Sequence, residues 1–386
     1  MSELGKTELD ITAQQIFSPI LIPASFVYRL IADVRNKLFD LGVLKSLSVS
    51  LPVICVGNVS VGGNGKTPFT RFLATNLQDK GARPAILLRG YGGSSVSPRL
   101  VKDSDRSSLV GDEALMYVNS LADTPVVVAK DRVAGAKFIE EQAIADLIVL
   151  DDGLQHRRLK RDFNFVLVDV SDQKARADWA NPRCLPAGRM REAVDSALRR
   201  ADAVVFTNRS AGRIAGKSED SSAFTEPKNL RRLPPGLPAF DFVLNPGKLL
   251  KLDGGSSIPL SEFQGQDVIA LTAIAKPGVF FRMLDDLGLR LRQRVGRRDH
   301  HQFTVDEIEA LGVQSEGCPI IVTEKDAVKL SQLPIEKDNI FVLELSADLK
   351  SEEQKSQLFS LLDSLVSART SHPSRSLPLR KTSIDH

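Results

Sequence analysis

The chain has 386 residues, 42% of them apolar, which is enough for one large or two ordinary domains with a real core. Its 51 Lys and Arg residues face 48 Asp and Glu, and a net charge of +3 is too small to argue for nucleic acid. Cys55, Cys184 and Cys318 stand far apart with no CxxC pair, so the pattern offers neither a disulfide framework nor a cysteine zinc site and suits a reducing compartment.

The first residues, "MSELGKTELD", lack the basic-then-apolar order of a signal peptide and the arginine-rich character of an organellar transit segment. Nowhere do about 18 uninterrupted apolar residues occur, so the chain reads as cytosolic, without a conventional spanning helix. Within residues 1–50, "ASFVYRLIADVRNKLFDLG" places Phe26, Val27, Leu30, Ile31, Val34 and Leu38 at helical spacing, flanked by Arg29, Arg35 and Lys37. Such a helix either packs on its own domain or lies in a membrane interface with its basic side chains toward anionic headgroups.

From Leu51 onward, strand-like runs alternate with helical stretches: "LPVICVGN", the helix "TPFTRFLATNLQDKG", then "PAILLRG", "TPVVVAK", "ADLIVLDD", "FNFVLVDV" and "ADAVVFTN". Short, β-branched, nearly continuous apolar runs between helices predict a parallel sheet covered on both faces, an α/β fold of three layers. The composition from about Ser210 to Pro238 turns to Ser, Gly, Pro and charge, a surface excursion or linker. A second set follows in "DVIALTAIA", "GVFFRMLDDLG", "CPIIVTEKDA" and "NIFVLEL". The expected division is a helical segment at 1–50, a P-loop domain at 51–240, a smaller α/β domain at 241–366 and a disordered polar tail at 367–386.

Between the first strand and first following helix stands "SVGGNGKT", close to the Walker A pattern. Gly62, Gly63, Asn64 and Gly65 allow backbone N–H groups to turn toward phosphate oxygens, while Lys66 and the helix dipole supply positive charge. Thr67 offers a hydroxyl to Mg²⁺, and Pro68 is tolerated in the first helical turn. Ser60 stands where the pattern has its first glycine, the position farthest from the phosphates. The ligand is a nucleoside triphosphate. ATP is favoured, since no N-K-x-D guanine signature occurs.

"LIVLDDGLQHRRL" puts Asp151 and Asp152 directly after an apolar strand, at the carboxyl edge where α/β sheets bind ligands. With the P-loop this resembles a Walker B segment holding Mg²⁺. "VGDEAL" sets Asp112 and Glu113 at a helix entrance, where by itself Asp is more often a cap than a catalyst. "RGYGG", Arg89 to Gly93, is by itself only a turn.

Together, "VGNVSVGGNGKTP", "RGYGG", "VGDEAL", "VVAKDRVAGA", "DDGLQHRRLKRD", "LPAGRMRE", "DHHQF" and "TEKDAVKL" resemble the tetraacyldisaccharide 4′-kinase family in content and order, over roughly Leu51 to Leu330. The resemblance implies transfer of the γ-phosphate of ATP to the 4′-hydroxyl of a tetraacylated glucosamine disaccharide 1-phosphate in lipid A biosynthesis. It also implies Mg²⁺ and a peripheral place at the cytoplasmic face of the inner membrane, and it favours the interfacial reading of the N-terminal helix. It assigns Asp112 and His300 together as the catalytic base, and Glu113 and Asp151 to the metal region. Arg132, Gln155, Arg191 and Glu192 match further functional positions. Because Lys66 and His300 lie in different expected domains, the site is expected at their interface.

The chain departs from the family pattern at Arg189 and Met190, which stand for Pro and Leu, and at Arg298, which stands for Pro. No nucleic acid and no obligatory protein partner are expected beside the lipid disaccharide. Two rival readings stay open: a P-loop ATPase switch or metallochaperone with water as its acceptor, and a non-catalytic membrane-associated nucleotide-binding protein. The first leaves "DHHQF" and "TEKDAVK" without a role.

Overall fold

The short apolar runs are strands, and they lie side by side in one sheet. This computed structural model describes residues 3–171, 173–209, 233–254, 257–314 and 317–370. Most of the excursion expected at 210–238, and the expected tail beyond 370, fall outside the described residues.

Helix α1 (Glu3–Asp40) precedes β1 (Val53–Asn58), the glycine loop and α2 (Lys66–Asp79). Then come β2 (Pro84–Leu88), β3 (Arg99–Leu100), α3 (Ser107–Val110), α4 (Asp112–Ser120), β4 (Val126–Val128), α5 (Arg132–Glu141) and β5 (Leu147–Asp151). The first series closes with β6 (Phe163–Asp169), α6 (Gln173–Ala180), α7 (Val194–Leu198) and β7 (Ala203–Arg209). The second comprises β8 (Ala239–Lys251), β9 (Ser257–Ile258), β10 (Asp267–Thr272), α8 (Pro277–Asp286), β11 (Arg290–Gly296) and α9 (Val305–Gln314). It ends with β12 (Ile320–Thr323), α10 (Glu324–Ser331), β13 (Ile340–Leu349) and α11 (Glu352–Thr370).

The sheet runs β11-β10-β12-β13-β8-β7-β6-β1-β5-β2-β4-β3, with β9 beside β8. Pairing is parallel except for β3–β4, β8–β9 and β8–β13. The fold is thus the expected α/β one, with β1 central between β5 and β6. Every residue of β1, β2 and β5 is buried, the reason those runs read as continuous rather than alternating. The parallel β7–β8 pair joins the two series of strands, and β8 pairs antiparallel with β13 on its other side.

Two long strands escape the apolar pattern for physical reasons. β8 carries Pro246 and Gly247, and its register against β13 shifts beside Pro246, a place where a missing N–H is tolerated. β11, "RLRQRVG", lies at the sheet margin with only Val295 buried, so charge costs little there. The run "CPIIVTEKDA" is split: β12 stops at Thr323, whose side chain accepts from the Asp326 N–H and caps α10.

Helix α2, which carries the end of the glycine loop, is fixed by aromatic packing. Phe69 meets the rings of Phe165 and Phe242 edge-on, with centroids 5.2 and 5.1 Å away. Arg71 on the same helix donates to Glu324 of α10 at 2.9 Å and to the Leu345 carbonyl of β13 at 3.0 Å. The phosphate-binding helix is thereby pinned to the second series of strands.

Helix α1 is inverted relative to an ordinary surface helix. Its polar groups face the protein: Ser25 donates to the Cys184 carbonyl at 2.6 Å and Asn36 to Glu192 at 2.8 Å. Tyr28 donates to the Arg191 carbonyl, and Arg157 donates to the Asn36 carbonyl and pairs with Asp40. Its apolar side chains face outward, with Phe26 68% and Ile31 64% exposed. Leu41, Val43, Leu44 and Leu47 continue this exposed apolar surface past the helix end. No helix among the described residues is long and apolar enough to cross a membrane.

Candidate active site

The glycine loop leaves β1 at the carboxyl edge of the sheet and enters α2 at Lys66. Gly65, at φ +74°, occupies the left-handed region, and a Cβ there would press on the Thr207 side chain at 3.1 Å. Thr207 in turn donates to the Asn64 carbonyl at 3.1 Å, and Asn64 donates to the Ser60 carbonyl at 3.1 Å. The loop is therefore held open by β7 and by its own asparagine. Lys66 donates to Asn58 Oδ1 at 3.2 Å, and its Nζ lies 3.6 Å from Asp152 Oδ1.

Asp151 and Asp152 end β5 beside this lysine but sit in opposite surroundings. Asp152, at φ +50°, also accepts from Arg191 Nη1 at 2.9 and 3.1 Å. Burial works to raise its pKa, yet Lys66 and Arg191 outweigh that and hold it below the ordinary carboxylate value. Asp151 is buried and accepts from the Tyr117 hydroxyl at 2.8 Å. Burial, reinforced by the charge of Glu113, pushes its carboxyl up to about 7. Asp151 Oδ1 has no hydrogen-bond partner among the described residues.

A buried carboxylate with a free oxygen, a second carboxylate beside it and a hydroxyl at Thr67 fit a divalent cation that takes its remaining ligands from phosphate and water.

His300 enters from the loop after β11. Its Nδ1 lies 3.4 Å from Asp112 Oδ2, and its backbone stands at φ +62°. Asp112, first residue of α4, is 4% exposed and sits behind the cleft wall, reaching it only through the imidazole. The Tyr91 ring lies against His300 with centroids 5.0 Å apart, which gives "RGYGG" a place in the site. A Cβ on Gly111 would meet the Tyr91 carbonyl at 2.5 Å, so only glycine lets the two loops close on each other. On the other side of Asp112, Lys329 Nζ lies 3.5 Å from Oδ2, and both groups are buried.

One cleft of about 1130 Å³ is lined by Gly62 to Pro68, Glu113, Arg132, Asp151, Asp152, Gln155, Arg191, Glu192 and His300. It draws on both series of strands. Arg132 lies in the cleft wall and donates to the Ala129 and Lys130 carbonyls of its own loop rather than to Asp112 or His300. Gln155 donates to the Asn58 carbonyl at 2.9 Å and to Glu192 at 3.1 Å. Glu192 is engaged by Arg200 at 2.6 Å and by Asn36 of α1, so its carboxylate ties the N-terminal helix to the site.

The glycine loop, a carboxylate pair and a histidine 3.4 Å from a buried carboxylate thus share one cleft. The sequence profile of the tetraacyldisaccharide-1-P 4′-kinase family matches residues 17–364. The chain belongs to this family. The tetraacyldisaccharide 4′-kinase of Syntrophus aciditrophicus is 36% identical over 88% of this chain and 91% of its own length. That of Actinobacillus pleuropneumoniae serotype 7 is 36% identical over 81% of this chain and 86% of its own. In three dimensions the chain is similar to LpxK from Aquifex aeolicus, crystallised in complex with ATP. That likeness has a TM-score of 0.70 at 30% identity and covers 91% of this chain and 99% of the other.

Within this 4′-kinase, the departures at Arg189 and Met190 lie against the glycine loop. The segment hydrogen-bonds it edge to edge, Val61 N–H to the Arg189 carbonyl at 2.8 Å and Arg191 N–H to the Val59 carbonyl at 2.6 Å. The Arg189 guanidinium donates to the Val61 carbonyl at 2.7 Å, pairs with Asp178 and occupies the space a Cβ on Gly62 would need. A flexible cation thus pins the loop from behind. Three further side chains belong to the site: Lys329, Tyr117, and Lys325, which donates to Asp299 at 2.7 Å and lies 3.4 Å from His300 Nε2. For the lysines the only signal was the motif "TEKDAVKL" itself.

Proposed function

We propose that this kinase transfers the γ-phosphoryl group of ATP to the 4′-hydroxyl of a tetraacylated glucosamine disaccharide 1-phosphate, a step of lipid A biosynthesis. The observation that carries the proposal is His300, held on Asp112, facing the same cleft as Lys66 and the glycine loop. A P-loop hydrolase or switch needs no such base for a sugar hydroxyl.

The loop N–H groups and Lys66 bind the β- and γ-phosphates, Lys66 exchanging Asp152 for the triphosphate. The apolar wall of Leu244, Ile274, Phe280, Met283, Leu343 and Leu345 lines the same cleft and suits the purine base. Asp151, Glu113 and Thr67 would hold Mg²⁺, which when bound neutralises charge on the transferring group. With Nδ1 directed at Asp112, His300 Nε2 takes the 4′-hydroxyl proton. The sugar oxygen bonds to the γ-phosphorus, the bond to the β-phosphate oxygen breaks, and the imidazolium is stabilised by the Asp112 carboxylate.

Arg89, Lys130, Arg132 and His156 line the cleft, as residues of α1 do, and supply a surface for the lipid's own phosphate. Arg132 Nε and His156 Nε2 are buried and lack partners among the described residues. Burial, with Arg132 nearby, lowers the His156 pKa to about 4, so an arriving phosphate meets a neutral imidazole. The outward apolar face of α1 supports peripheral attachment to a membrane, the cytoplasmic face of the inner membrane in this reading, with acyl chains left in the bilayer.

The test is γ-³²P transfer from ATP, with Mg²⁺, to the disaccharide 1-phosphate lipid in detergent micelles, alongside His300→Ala and Lys66→Ala. Labelled bisphosphorylated lipid, lost in both variants, is the expected result. Release of free phosphate alone, indifferent to lipid and to His300→Ala, would refute the proposal.

A further inference from the structure

We infer that Lys329 is a positioning residue for the phosphoryl-accepting step, one ammonium that sets both partners of the Asp112–His300 pair. Its Nζ lies 3.5 Å from Asp112 Oδ2 and donates to the His301 carbonyl at 3.1 Å, immediately after His300 in the chain. The first contact orients the carboxylate that the imidazole faces. The second holds the loop that keeps His300 at φ +62°, in the left-handed region that few residues with a side chain occupy.

Lys329 is itself aimed by a buried scaffold. Asp326 Oδ1 lies 3.9 Å from its Nζ, one helical turn back on α10. Asp326 is fully buried and accepts from Thr272 Oγ1 at 2.8 Å, the Ala273 N–H at 3.1 Å and Thr323 Oγ1 at 2.7 Å. Those donors sit at the carboxyl ends of β10 and β12, so the sheet edge fixes Asp326, Asp326 orients Lys329, and Lys329 reaches α4. The Phe303 ring, 5.9 Å from Nζ, covers the remaining side. With a side chain only 2% exposed, this lysine cannot trade its partners for water. A lysine that merely neutralised Asp326 would have no need to touch both Asp112 and the His300 loop.

The inference rests on the proposed role of Asp112 and His300, and the experiment separates the two. Phosphoryl transfer and ATP binding are measured for Lys329→Met, Lys329→Gln, Lys329→Arg, Asp112→Asn, His300→Ala and the Asp112→Asn/Lys329→Met double variant. Lys329→Met is expected to lower kcat by about tenfold to a hundredfold, within the roughly 10²–10⁴-fold that a positioned base contributes, with KM for ATP unchanged. Lys329→Arg should recover part of the loss. The double variant should lose less than the product of the two single losses, since only the hold on the His300 loop is left for Lys329 once the Asp112 carboxylate is gone.

Lys329→Gln keeps a donor for the His301 carbonyl without the charge and enters the same cycle if the methionine variant does not fold. Losses that multiply in the double variant, or a rise in KM for ATP matching the fall in kcat, would overturn the assignment. Full activity in His300→Ala would instead overturn the underlying base.

Discussion

Asp151→Asn tests the cation site without relying on turnover. The carboxyl of Asp151 is pushed from its ordinary 3.8 to about 7 by burial and then by Glu113, which corresponds to about 4 kcal/mol at ~1.4 kcal/mol per pH unit. A folded-state pKa raised above the unfolded one stabilises the fold fully below pH 3.8, and that contribution is lost as pH rises through about 7. Asn has nearly the same size, keeps an acceptor for the Tyr117 hydroxyl and does not ionise. Without ligand, the variant and the wild type should melt at similar temperatures near pH 4. The gap should widen up to pH 7 and stay level above it, with the variant several degrees more stable at pH 8.5. Adding Mg²⁺ and ATP at pH 8.5 should close the gap, because the cation compensates the wild-type carboxylate and not the amide. Differential scanning calorimetry at a series of pH values reads all three. A gap independent of pH, or a wild type already more stable without ligand at pH 8.5, would refute the reasoning.

Arg189→Ala should weaken ATP binding about tenfold with little change in kcat, because it removes a charged hydrogen bond behind the glycine loop; nucleotide titration and initial-rate kinetics check it. Glu192→Ala should cost about 3 kcal/mol by leaving the partly buried Arg200 without its carboxylate, with Ser196 still accepting from it, and it should free α1 for proteolysis near Asp40. Circular dichroism melts and limited digestion measure both effects. Phe26→Glu with Ile31→Glu should reduce partition onto anionic vesicles by at least about tenfold while leaving the melting temperature unchanged, since neither side chain is buried in the protein. Cosedimentation with vesicles gives the answer.

Much of the architecture was legible because parallel strands buried on both faces must be apolar throughout, as β1, β2 and β5 are. The glycine loop was equally plain, since close approach of backbone to phosphate restricts residue choice at each position. β8 and β11 were not legible. One is interrupted by Pro246 beside a register shift, and the other is a charged margin strand, so neither carries the apolar signature.

The sequence by itself determined the elements whose identity depends on local chemistry: buried strands, the phosphate loop, the acids at strand ends and the motifs that mark the family. Only the tertiary structure decided what each charge does. Asp151 and Asp152 are neighbours in sequence, yet one is buried with a free oxygen and the other is held between Lys66 and Arg191. Lys329 lies 217 residues from Asp112 in the chain but 3.5 Å from its carboxylate, and Arg189, a departure from the family pattern, turns out to brace the loop it faces. The reason is physical. Local structure follows from side-chain shape and backbone preference over a few residues, whereas desolvation and Coulomb interaction depend on distances that the folded sheet alone establishes.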